Sequence, residues 1–225
     1  MELWVFAYGS LMWRPGFRYT RVEHARLTGY SRSFCVYSVH HRGTEARPGL
    51  VLGLDRGGTC EGLVYRIDEA DVAETIAYLT AREQVNGVYR QARLPVTLLN
   101  AEREQVIALT YIVERAHPSY ASRLPLQVQA RLIRGASGLS GDNITYALNT
   151  ISHLNKLGIR ERSLDRLAVL ISPLVSAQAV IAESGAASPR VKSLSASVRN
   201  PFRVTSQMRP GDRRRFGYRL KLSQD

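Results

Sequence analysis

Residues 50–82 read LVLGLDRGGTCEGLVYRIDEADVAETIAYLTAR. Leu50–Leu54 and Cys60–Ile67 are apolar runs of strand length. Between them lies Asp55-Arg56-Gly57-Gly58, where glycine can take the positive φ of a tight turn, so the stretch predicts a β-hairpin. At Asp68 the period changes. Val72, Ile76 and Leu79 fall on one stripe at helical spacing, and Asp68, Glu69 and Asp71 suit the positive end of a helix dipole over 68–82. Strand, strand and helix in succession, without βαβ alternation, point to an α+β fold.

The flanking sequence extends this pattern. Leu3–Gly9 is apolar, β-branched and aromatic, as a buried strand requires, and it stops at Gly9-Ser10. Arg26–His40, with Leu27, Phe34, Val36 and Val39, predicts a second strand. Tyr89–Leu98 and Val106–Val113 predict two more, with a turn at Asn100-Ala101-Glu102. After Pro118 the period is helical, over Leu126–Ala136, Asn143–Leu157 and Leu164–Ala182, with Gly158 as a C-cap. Strands fill the first half and helices the second, and no internal repeat is present.

The 225 residues suffice for a core that needs neither disulfides nor a metal. No run of about 18 apolar residues marks a transmembrane helix. Glu2 before the apolar stretch Leu3–Trp13 and Arg14 after it do not make a signal peptide. Cys35 and Cys60 give no disulfide framework, and two ordinary thiols fit a cytoplasmic protein. The net charge of +12 is uneven: residues 184–225 hold ten Lys/Arg against two Asp. The expected organisation is one domain over 1–183 and a basic, Ser/Arg/Gly/Pro-rich tail over 184–225 without helical or strand period. The tail suits either an acidic partner such as RNA or a membrane surface, or a solubilising extension with no dedicated partner.

No P-loop, dinucleotide fingerprint, HExxH or Gly-x-Ser-x-Gly elbow is present. Gly138-Leu139-Ser140-Gly141 lacks the lysine of a phosphate loop. The five histidines do not cluster at ligand spacing, and the adjacent His40 and His41 would point to opposite faces of a strand, so neither metal nor cofactor is expected. Two features remain. Tyr8-Gly9-Ser10-Leu11 ends a strand abruptly, and its amides suit a carboxylate or a developing oxyanion; an ordinary strand-ending turn would look the same. Arg82-Glu83 ends the predicted helix, where a partly buried carboxylate would have a raised pKa and act as a better base; a solvated Arg-Glu pair is the alternative.

Together these features carry a resemblance. WVFAYGSLMWRPGF (residues 4–17), YLTAREQVNGVYR (78–90), HPSYASRLPL (117–126) and GASGLSGDNITYALNTISHLNKLGI (135–159) resemble the ChaC family of glutathione-specific γ-glutamylcyclotransferases. The likeness runs in order from about Trp4 to Leu174 and leaves out the basic tail. It implies a small, strand-rich mixed barrel with flanking helices. It also implies that Val5, Phe6, Ala7, Tyr8, Gly9, Ser10 and Leu11 form the substrate loop and that Glu83 is the proton acceptor. Tyr89 and Tyr120 match family tyrosines, as substrate ligands or as core residues. Arg42, in His41-Arg42-Gly43, suits the glycine carboxylate of glutathione or a solvated loop. There are departures. Ala7 stands where many members have glycine, QVNGVY (84–89) replaces a shorter Gly-Gly-Tyr, and Cys35 sits where an aromatic residue is common.

The implied reaction converts glutathione to 5-oxoproline and Cys-Gly. The α-amine attacks its own γ-carbonyl, so no activated Ser or Cys is needed. Two alternatives stand beside it: cyclisation of other γ-glutamyl amines or peptides on the same fold, and nucleic-acid binding through the tail.

Overall fold

The fold was analysed in a computed structural model, which describes residues 2–83 and 87–172. The end of the predicted 164–182 helix and the basic tail lie outside the described residues.

Strand β1 (Leu3–Ala7) is buried on both faces. Leu3, Val5 and Ala7 join the cluster that includes the helices, whereas Trp4 and Phe6 join a cluster made only of strand residues, the barrel interior. This two-sided burial explains its unbroken apolar character, which a half-exposed strand would lack.

β2 (Arg21–Ser38) and β3 (Gly49–Ile67) are long antiparallel partners running from Arg21↔Arg66 to Ser38↔Gly49. The hairpin predicted at Asp55–Gly58 is therefore absent: β3 passes straight through those residues, and the real β2–β3 connection is residues 39–48. The glycines still take positive φ, +96° at Gly57 and +83° at Gly58, but opposite them stands Gly29 at +90°. The register moves from Thr28↔Thr59 to Tyr30↔Arg56, so two residues of β3 face one of β2. This is a β-bulge, which bends both strands around the barrel. Bulge and turn call for the same local residues; only the partner strand distinguishes them.

A one-turn 3-10 helix, Glu69–Asp71, capped by the Asp68 carboxylate accepting from Ala70 N (3.1 Å), leads into α1 (Val72–Glu83). β4 (Tyr89–Leu98) and β5 (Gln105–Val113) pair antiparallel. The sheet closes in the order β1-β3-β2-β4-β5, with β5 parallel to β1 through Trp4↔Ala108 and Val5↔Leu109. The buried Thr110 hydroxyl donates to Phe6 O (2.9 Å) across this seam. α2 (Leu126–Gly135) is followed by a two-strand ribbon, β6 (Ser137–Gly138) and β7 (Gly141–Asp142), at the Gly138–Gly141 segment. α3 (Asn143–Lys156) and α4 (Arg162–Ile171) complete the helical side. Asn143 fastens α3 to β3: its amide accepts from Leu50 N (2.7 Å) and donates to Leu50 O (2.8 Å). The α+β class and the barrel are as expected.

Candidate active site

β1 loses its ladder partners at Ala7, and the chain turns at Gly9 into a single 3-10 turn, Ser10–Met12. Met12 N donates to Gly9 O (2.9 Å). The first amides of the turn, those of Ser10 and Leu11, have no partner within it. The Tyr65 hydroxyl bonds to Leu11 O (3.2 Å) and Met12 O (3.0 Å) from below. A Cβ at Gly9 would lie 3.9 Å from Leu52 Cδ1, a contact without clash but directed at another wall of the same cavity.

Glu83 arrives from the far end of α1. Its side chain keeps only 19% exposure. Arg82 Nε donates to Glu83 Oε1 (3.2 Å), Nη1 to the Tyr78 hydroxyl (3.1 Å) and Nη2 to Ser10 Oγ (2.9 Å). One guanidinium thus ties the last residue of α1 to the turn after β1. Burial pushes the Glu83 carboxyl above its ordinary 4.5, and Arg82 pulls against it without cancelling the shift. Burial, then the neighbouring tyrosines and Glu83, hold the Tyr8 and Tyr89 hydroxyls well above 10.0, so both are neutral donors.

Residues 5–11, Glu83 and Tyr89 line one cavity of about 100 Å³ that opens to solvent. Leu52, Tyr111 and Tyr146 complete the lining, and sequence reasoning missed all three. Tyr89 donates to Leu52 O (2.7 Å) and the Tyr146 hydroxyl accepts from Leu52 N (3.4 Å), so two tyrosines bracket one backbone unit. Tyr111 sits in a strand whose pattern reads simply as core. Tyr146 lies within the quoted 135–159 segment, but nothing in its spacing marked it.

Two expected site residues are placed elsewhere. The Tyr120 hydroxyl donates to Asp55 Oδ2 (3.0 Å), in a cluster where Arg115 (2.7 Å) and Arg123 (3.3 Å) also hold that buried carboxylate. Arg42 donates to the carbonyls of Ser140 and, at 3.5 Å, Asp142. Its guanidinium stands 5.0 Å from the Tyr146 ring centroid, so it contacts a lining residue without lining the cavity itself. Among the described residues no three His, Cys, Asp or Glu side chains gather as a metal site, and no helix is long and apolar enough to cross a membrane.

A strand-ending turn and a largely buried carboxylate share one tyrosine-lined cleft, an arrangement able to take a small polar molecule and to move a proton. Residues 3–174 match the family described as ChaC-like protein, and the chain belongs to that family. The Escherichia coli K12 protein named glutathione-specific gamma-glutamylcyclotransferase is 34% identical over 174 residues, 77% of this chain and 74% of that one. The Homo sapiens protein named glutathione-specific gamma-glutamylcyclotransferase 1 is 32% identical over 171 residues, 75% and 77% of the two chains. The crystal structure of a yeast γ-glutamyl cyclotransferase specific to glutathione shares the fold, with a TM-score of 0.68 at 22% identity, over 76% of this chain and 95% of that one.

Proposed function

We propose that the protein is a glutathione-specific γ-glutamylcyclotransferase that releases 5-oxoproline and Cys-Gly. The observation that carries the assignment of the site is the meeting of Glu83 with the Val5–Leu11 segment in one cavity.

The cavity holds the γ-glutamyl group folded, with its α-nitrogen against the carbonyl carbon of its own γ-amide. Holding both reacting groups in attack geometry replaces an activated nucleophile, since well-oriented intramolecular reactions reach effective molarities of about 10⁵ M or more. The substrate arrives as an ammonium, which cannot attack. The Glu83 carboxylate takes one proton, and its raised pKa makes it a stronger base than an exposed glutamate. The α-nitrogen then bonds to the carbonyl carbon of the γ-amide, closing a five-membered ring, and the carbonyl oxygen becomes an oxyanion. Collapse breaks the bond to the cysteine nitrogen, which leaves as an amine with the proton Glu83 returns. The carboxylate, ionised again, takes the second proton from the ring nitrogen and passes it to the released amine, giving neutral lactam and the Cys-Gly ammonium. Backbone amides of the Tyr8–Leu11 turn serve the oxyanion or the substrate α-carboxylate. Tyr89 shapes the wall through its bond to Leu52 O.

Residues 1–183 form the catalytic unit in this proposal, and the 184–225 segment is dispensable for turnover. A cytoplasmic location belongs to the same proposal, supported by two free, buried thiols. The deciding experiment incubates purified protein with glutathione, γ-Glu-Ala and γ-glutamyl-ε-lysine and follows 5-oxoproline and the released amine. Release from glutathione alone is the expected result. Release from none of them overturns the proposal, and preference for another substrate moves the leaving-group assignment.

A further inference from the structure

Arg32 on β2 is absent from the cavity lining, yet its side chain has 0% exposure. Burying a cation is costly, and an apolar residue of similar volume would pack a barrel as well, so a buried arginine calls for an account of what its donors hold. Nε donates to Tyr8 O. Nη2 reaches Glu61 O on β3 (2.6 Å) and Met12 Sδ (3.8 Å). Nη1 is paired with Glu161, the residue that precedes α4.

Two of these contacts fall at the two ends of one segment. Tyr8 is the first residue beyond β1, so its carbonyl lies past the β1 ladder, and Met12 closes the turn that follows. One planar fork therefore grips both ends of Tyr8–Met12 from behind, while Glu61 O and Glu161 fix the fork to β3 and to the start of α4. Lysine, a single point charge on a flexible stem, cannot reproduce that geometry.

We propose that Arg32 is the positioning residue that sets the Tyr8–Met12 turn for substrate, with Glu161 as the anchor that orients its guanidinium. The inference rests on the cyclotransferase assignment above, because it takes the turn as the substrate's seat. Arg32 touches no reacting atom; it acts through the Tyr8 carbonyl.

The test compares the parent with Arg32→Lys and with the double variant Arg32→Met/Glu161→Gln, which removes the pair without stranding either charge. The measurements are kcat, KM for glutathione, the acidic limb of the pH profile and Tm. Displacements of about 1 Å at a positioning contact can cost on the order of 10²-fold. Both variants should raise the KM of the folded protein on the order of tenfold, whatever Tm is lost with the donors to Tyr8 O and Glu61 O, and leave the acidic limb set by Glu83 in place. A purely structural brace would lower Tm while the folded protein kept the parent's KM, and that result overturns the proposal. If neither variant folds, Glu161→Gln alone decides: it frees one arm of the fork, and an unchanged KM sinks the role. A parent that releases no 5-oxoproline refutes the functional assignment itself. An active parent with variants of unchanged KM refutes only Arg32's part.

Discussion

Burial and a neighbouring cation pull the Glu83 carboxyl in opposite directions, and burial wins. In the proposed mechanism Glu83 is the base, so Glu83→Gln, which keeps its shape, should cut kcat by about 10²-fold or more. The same variant should not be unstable. A carboxyl whose folded pKa lies above its unfolded value contributes stability that is complete below the unfolded value and is lost as pH rises through the folded one. At neutral pH the glutamine variant should thus melt at or above the parent's temperature, by calorimetry. Arg82→Met should raise the Glu83 pKa further by removing the opposing charge. The acidic limb of kcat/KM, which requires the carboxylate, then moves to higher pH. Glu83 was legible because an Arg-Glu pair at a helix end and a family pattern converge on it. Tyr111 and Tyr146 were not, since a tyrosine on a cavity wall and one in a core carry the same local sequence.

At the level of elements, glycines on β3 do two different jobs. A Cβ at Gly62 would stand 2.2 Å from Ala7 O and 2.9 Å from Phe6 Cζ, so it would push the end of β1 on which the Tyr8–Leu11 turn is mounted. Gly62→Ala should cost about 1–3 kcal/mol in denaturant titrations and reduce turnover as well. Gly57 lies in the bulge, where a Cβ meets only the end of the Arg123 side chain. Gly57→Ala strains a left-handed backbone by about 1–2 kcal/mol and should leave KM alone. Asp55, next to that bulge, joins β3 to Arg115 and Arg123. Burial raises its carboxyl, but bonds from Arg115, Tyr120 and the Arg56 amide hold it below the ordinary 3.8. Its stabilisation is therefore present at neutral pH and lost as pH falls through that lowered value. Asp55→Asn should cost about 1–3 kcal/mol at pH 7, with the difference shrinking in acid. The Asp55–Gly58 segment also shows where local pattern stops informing. Positive-φ glycines between apolar runs suit a turn and a bulge equally, and the deciding residue, Gly29, lies on another strand.

For the whole molecule, the succession of strand-forming and helix-forming segments followed from hydrophobic period, except that the two runs within 50–67 form one strand and the short β6–β7 ribbon left no such signal. The closure of the barrel did not, because a parallel seam between β1 and β5 leaves no trace in spacing. Family likeness supplied the barrel instead. It stops short of the basic segment, and the matched residues end at 174. Deleting residues 184–225 should leave kcat and KM for glutathione unchanged; a loss of turnover would make that segment part of the catalytic unit. The seam also sets a timetable for the newborn chain. Phe6 and Thr110, which bond across it, are 104 positions apart. The strand that carries the Tyr8–Leu11 turn thus emerges from the ribosome before β5 and waits unfinished on one side until β5 is made. Pairings of such long range form slowly. A ribosome stalled before β5 would hold an apolar strand open to other chains, and with it a cleft that has no floor.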